Sequence, residues 1–160
     1  MKINFTLASL IFVTTFSLSS QTYGFTTHNK NIEKCYEATK QITITPSVRT
    51  CNHVIKSRFS SRKNKAIALH NRGVIYLNHN LNDKALKSFE KAARTNSKQS
   101  ASLLAIAQLH YANDNALLAL KYLEKVLSKE NENLLAHKLR KQINSNKLAG
   151  KVISKPLVAD

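Results

Sequence analysis

Six histidines, two cysteines, nine carboxylates and 25 lysines and arginines are the groups in this 160-residue chain that could do chemistry. The histidines stand at 28, 53, 70, 79, 110 and 137, so none shares the His-x3-His step that puts two imidazoles on one helical face for a metal ion. Cys35 and Cys51 are separated by 15 residues and bring no further ligands with them, which excludes a zinc-type site. The glycines, Gly24, Gly73 and Gly150, are too far apart to build a phosphate-cradling loop. No serine sits in a nucleophile elbow or heads a supported Ser-x-x-Lys motif, and the carboxylates are too spread for an acid/base pair. These absences point away from an enzyme and from any cofactor.

What remains is charge. The chain carries a formal +16, and removal of Lys2 with an N-terminal leader would leave +15. Between Glu37 and Asp83 there is no acidic residue, while Lys40, Arg49, Lys56, Arg58, Arg62, Lys63, Lys65 and Arg72 all fall there. Between Glu132 and Asp160 there is none either, against Lys138, Arg140, Lys141, Lys147, Lys151 and Lys155. Such asymmetry draws anions and speeds their encounter. Its densest part is a basic patch of Lys56, Arg58, Arg62, Lys63 and Lys65, five charges in ten residues. Nucleic acid is a poor candidate, because the basic residues are not interleaved with stacking aromatics and no usual binding module is present.

The elements that position these groups begin after a leader. Residues 1–24 read as a signal peptide: Lys2, an apolar stretch from Phe5 to Phe16, then small residues with cleavage after Ser20 or Gly24. The stretch is short and hydroxyl-rich for a span of about 20 apolar residues, so an uncleaved anchor is the alternative. The expected product is a periplasmic or secreted protein without a transmembrane segment. One helical domain fills 25–146, and a flexible basic tail follows over 147–160, with Gly150 and Pro156.

In an oxidising compartment a cysteine pair reads as a disulfide. Asn31 to Gln41 has helical spacing, with Ile32, Cys35, Tyr36 and Ala38/Thr39 on one side. Thr45-Pro46 looks like the start of a second helix, with Thr45 as its cap, and Val48, Cys51, Val54 and Ile55 mark its apolar face to near Arg58. Cys35 and Cys51 are equidistant from residue 43 in the connection, so an antiparallel hairpin over 31–58 would set them at one height. Two buried free thiols are the alternative. At the other end, Leu135, Ala136, Leu139 and Ile143 predict a capping helix over 134–146.

Between these ends a pattern repeats. Gly73, Tyr76, Ala85, Phe89 and Ala92 recur 34 residues later as Ala107, His110, Ala119, Leu123 and Val126, with Leu69 and Leu86 matched by Leu103 and Leu120. His110 then reads as a packing residue. Small Gly73, Ala85 and Ala92 let two helices approach, and Tyr76 and Phe89 fill the space beyond. This constellation resembles the tetratricopeptide repeat (TPR), a helix-turn-helix unit of about 34 residues. The units would span 66–99 and 100–133. Ser97 and Asn131 stand where the family often has proline, and Arg72 where it usually has an apolar residue. With its cysteine hairpin, the chain looks like a group of small secreted bacterial TPR proteins. The resemblance implies an all-α, short right-handed helical solenoid of about seven helices in four layers, made of the disulfide-linked hairpin, two repeats and the capping helix.

The same resemblance implies a concave groove lined by the first helix of each unit. In the first unit this means Ile67, His70, Val74, Leu77 and Asn78; in the second, Ala101, Leu104, Gln108, Tyr111 and Ala112. His70 and Val74 replace residues of the family's carboxylate clamp, which argues against that mode. Two functions follow. The first is an exported scaffold that holds an acidic peptide segment of another protein, drawn in by the basic patch beside the groove entrance. The second is attachment to anionic lipid, lipopolysaccharide or wall polymer through surface charge.

Overall fold

The computed structural model describes residues 30–98 and 100–153, with side chains as far as Asn146. The expected signal peptide and residues 154–160 of the expected tail lie outside the described residues. Among these residues every regular element is helical, so the chain is all-α. Helix α1 covers 30–37 and runs into a 3-10 turn, Ala38–Lys40. It is followed by α2 (Ile44–Lys56), α3 (Arg62–Asn78), α4 (Asn82–Thr95), α5 (Ser100–Ala112), α6 (Ala116–Leu127) and α7 (Leu134–Ile153). Each helix from α2 onward packs chiefly on its neighbours in the chain, and α5 also touches α7.

The spacing of small and apolar residues decides how each helix is used. In α4 the buried residues Ala85, Ser88, Phe89 and Ala92 form one stripe, and Ala119, Leu123 and Val126 do the same in α6. A single stripe suits a helix covered on one side. Helix α3 instead buries Ala66, Ala68, Leu69, Asn71, Gly73 and Ile75, which lie on more than one face, because it is held between α2 and α4. Five of these positions recur as buried residues 34 places on, at Ser100, Ser102, Leu103, Ala107 and Leu109 of α5. The closest approach is at Gly73. A Cβ built there would lie 2.5 Å from a ring carbon of Phe89, so the fully buried ring occupies space that any other residue would claim.

The turns repeat as closely as the burial. In α3–α4 the Leu81 N–H donates to Tyr76 O (2.9 Å) and the Asn80 N–H to Leu77 O (3.0 Å), with Asn80 at φ 57°. In α5–α6 the Asn115 N–H donates to His110 O (2.9 Å) and the Asp114 N–H to Tyr111 O (3.1 Å), with Asp114 at φ 57°. Left-handed backbone is costly for most side chains, and Asn and Asp are among those that accept it. These two bonds and the left-handed residue recur at a 34-residue offset, whereas the preceding N–H differs, His79 donating to Tyr76 O and Asn113 to Leu109 O.

At the N-terminal end, Cys35 and Cys51 are joined in a disulfide, with Cα atoms 4.7 Å apart and both residues fully buried. They share a cluster with Val54 and with Ala68 and Ile75 of α3, so the bond sits under α3. Helix α2 starts at Ile44, so its N-terminal flanking residue is Thr43, two residues before the expected cap Thr45, and the Thr43 carbonyl accepts from the Ser47 hydroxyl (2.6 Å). Pro46 still falls in the first turn, where its missing N–H costs nothing. At the C-terminal end, Ala136, Leu139 and Ile143 of α7 pack on α5 and α6, but Leu135 is exposed, so the predicted apolar face is narrower by one residue. The helix also runs past its expected end at 146 to Ile153. A lone glycine in a helix costs about 1 kcal/mol and does not end it, and the one later breaker is Pro156.

Candidate partner-binding surface

Ile67, His70, Val74 and Leu77 follow one another at steps of three and four along α3, which places them on one helical face. The equivalent strip on α5 contains Ala101, Leu104, Gln108 and Tyr111. Much of the α5 strip is already used. Leu104 is buried at 8% exposure in the C-terminal cluster with Ala136 and Ile143, so it is not free for a ligand, which corrects the expectation that it lines an open groove. Tyr111 packs against the same cluster, and its hydroxyl accepts from the Asn146 amide of α7 (2.7 Å). The sequence pattern could not separate these cases, because an apolar residue facing a later helix and one facing a partner are spaced alike.

The α3 strip is also partly internal. His70 Nδ1 lies 3.1 Å from the Ser102 hydroxyl of α5, and its ring centroid is 5.2 Å from that of Phe89. Burial depresses its pKa below the ordinary imidazole value, so it bridges two helices as a neutral ring. The Asn78 side chain donates to Thr39 O (3.0 Å) and thereby ties the end of α3 to the hairpin connection. His79 does the same more strongly. Its Nδ1 lies 2.8 Å from Ile75 O and its Nε2 2.8 Å from Ile42 O, two carbonyls that both accept. Only the doubly protonated ring can donate to both, and these bonds raise its pKa, Ile42 foremost. What stays open on the two strips is Leu77, at 37% exposure, together with Ala101, Gln108 and the half-buried Ile67 and Val74.

The basic patch lies elsewhere. Lys56 ends α2, Arg58 is in the turn, and Arg62, Lys63 and Lys65 open α3. All but the half-buried Lys65 are exposed. The patch is about 20 Å from Leu77, the penultimate residue of α3, at 1.5 Å per residue, but Ile67, at the near end of the strip, lies one turn from Lys63. Ser61 caps α3 by accepting from the Asn64 N–H (3.1 Å), while no acidic residue occupies the first turn to balance the three cations. Phe59, inside this patch, is 90% exposed, a feature the charge pattern alone did not bring out.

Ion pairs are scarce. Among the described residues they are Lys40–Glu37 (3.0 Å) and Arg94–Glu90 (3.7 Å). No group of three His, Cys, Asp or Glu residues among them could hold a metal ion, and no helix is long and apolar enough to cross a membrane. The repeat-signature residues Gly73, Ala85, Phe89, Ala92, Ala107, Ala119 and Leu123 are all buried; Tyr76 is half-buried and stands over the α3–α4 cluster. His110 stacks on Tyr122 at 5.5 Å between centroids, which makes it a packing residue. A scan against models of known protein families finds no match, and a search of curated proteins finds none.

Proposed function

We propose that this chain is an exported scaffold of the tetratricopeptide kind, which acts by binding a segment of another protein rather than by catalysis. The observation that carries the reading is the 34-residue offset between the two turns, at which two hydrogen bonds and the left-handed residue recur. Repeats over 66–99 and 100–133 would stack as a short right-handed solenoid, with the disulfide hairpin covering one end and α7 the other. The disulfide fits an exported protein. The binding strip is then Ile67, Val74, Leu77 and Gln108, suited to an extended or helical peptide.

A photo-crosslinking residue at Gln108 in the oxidised chain tests this in envelope extract, with the same residue at exposed Lys87 of α4 as control. A partner captured from position 108 and not from 87, whose purified segment loses affinity for Leu77→Ser, is the expected result. Capture at equal yield from both positions would remove the strip as the site. One observation favours a second reading, attachment to an anionic envelope surface: Phe59 projects from among Arg58, Arg62 and Lys63. The two readings separate by salt, since attachment through exposed charge falls steeply as ionic strength rises while apolar strip binding persists.

A further inference from the structure

We propose that the groove between α2 and α4 is a binding site for an acidic protein segment carrying an apolar residue, separate from the strip on α3 and α5. A cleft of about 460 Å³ opens there, lined by Arg49, Asn52 and Lys56 of α2, Tyr76 of α3 and Lys84 of α4. Ile44 and Val48 supply its apolar part. No carboxylate is among its lining residues. Lys84 Nζ stands 6.0 Å from the centroid of the Tyr76 ring, so one wall is both aromatic and cationic.

Behind this wall lies Arg72. It is half-buried, and its Nη1 donates to Asn52 Oδ1 (2.7 Å) and its Nε to the Ser88 hydroxyl (3.3 Å). Both partners are neutral, and among the described residues no carboxylate pairs with it. A cation drawn out of water is normally matched by an opposite charge, since withdrawing it unmatched is expensive. Three cations from two helices line the groove, a fourth from α3 lies behind its wall, and the matching anion is not supplied by the groove itself.

The internal repeat provides the control. Thirty-four residues on, Arg72 corresponds to Ile106, Lys84 to Leu118, Ser88 to Tyr122 and Lys56 to Glu90. Ile106 is 1% exposed and packs in the core. The next groove along, between α4 and α6, sets Glu90 beside Arg94 and Lys125 and so supplies an acid of its own against its cations. The fold therefore does not require a cation at position 72, and the one groove that has it also lacks the acid. A recessed site between helices, part apolar, accepts side chains of a peptide, whereas a flat headgroup layer cannot enter it.

The test uses the full oxidised chain and a fluorescent peptide alternating Glu and Leu, read by anisotropy. R49E/K84E and R62E/K63E change net charge equally, so they separate the groove from the overall field. R49E/K84E is expected to weaken binding about tenfold, the loss of two charge-assisted contacts, with R62E/K63E changing it less than about twofold. Equal losses in both variants, or none in R49E/K84E, overturn the proposal. A peptide with Ser in place of Leu that binds equally well overturns the apolar requirement. Arg72→Met is expected to weaken binding while melting at the same temperature or higher, because an apolar side chain needs no partner there. A lower melting temperature with unchanged binding would make Arg72 purely structural and overturn its part. Affinity for phosphatidylglycerol vesicles without affinity for the peptide overturns the choice of a protein segment.

Discussion

The α3–α4 and α5–α6 pairs share a backbone plan and differ in what they place on it. Shared are the left-handed turn residue, two turn hydrogen bonds and eight buried positions, from Ala66/Ser100 to Ala92/Val126. The closest packing is solved twice, by Gly73 under the large Phe89 ring and by Ala107 with the smaller Leu123. Volume is exchanged between facing positions and conserved in total, as close-packed interiors demand. At three divergent positions the first pair carries an ionisable group that the second lacks: Arg72 against Ile106, Lys84 against Leu118, His79 against Asn113. Two copies of one plan thus separate what the fold needs from what it merely permits.

The largest effect expected is at the packing centre. Phe89→Ala should destabilise by about 4 kcal/mol and Leu123→Ala by about 3 kcal/mol, measured by chemical denaturation. Gly73→Ala alone should be strongly destabilising, and adding Phe89→Leu should recover much of the loss by reproducing the second pair. If the double variant is no better than Gly73→Ala, the two centres are not equivalent and the comparison breaks. Next is the disulfide beneath α3. Cys35→Ser/Cys51→Ser should cost about 3 kcal/mol on the loop-entropy model. By hydrogen exchange the loss should fall on α2 and α3 more than on α6 and α7, the helices at the far end from the bond.

A smaller effect separates the two turns. Asn115 caps α6 by accepting from the Leu118 N–H (3.2 Å), while Leu81 at the same place has no capping side chain. Asn115→Ala should cost about 1 kcal/mol of thermal or chemical stability. Leu81→Asn should return less than that, since Leu81 is half-buried and gives up packing. The subtlest contrast is His79, for which the second pair has the non-titrating Asn113. The folded-state pKa of His79 is raised above the ordinary value of 6.5, so its stabilising contribution is complete below that value. The contribution is lost as pH rises through the higher folded value. His79→Gln should flatten the pH dependence of melting in that window, and an unchanged profile would mean the two carbonyl bonds do not select the imidazolium.

How much of this was legible depends on what each residue faces. The spacing of Gly73, Ala85, Phe89 and Ala92 announces a helix pair because the contact lies within some twenty residues of chain and both partners show in one pattern. Cys35 and Cys51 were readable for the same reason, as a short hairpin sets them level. Leu104, Tyr111 and Leu135 were not. Their environment is decided by how α7 lies on α5 and α6, and nothing in the local spacing fixes that angle. Arg72 showed only as a departure from the family pattern. That it is half-buried without an acid became visible once α2 supplied Asn52 and α4 supplied Ser88.

The disulfide gives the molecule a direction. Successive helices hold mainly their chain neighbours, so a helix at either end is retained by one layer only. At the N-terminal end, α1 is covalently tied to α2 through Cys35, and the connection after it is held again by Asn78 and His79. At the other end, α7 is held by packing and a few side-chain bonds, Asn146 to Tyr111 among them. Opening is therefore expected to begin at α7 and proceed toward the cystine, with hydrogen exchange faster in α7 than in α2 and α3. The first surface it uncovers is the Leu104 face of α5, which a transient opening of the last helix would lend to the strip that the closed form withholds.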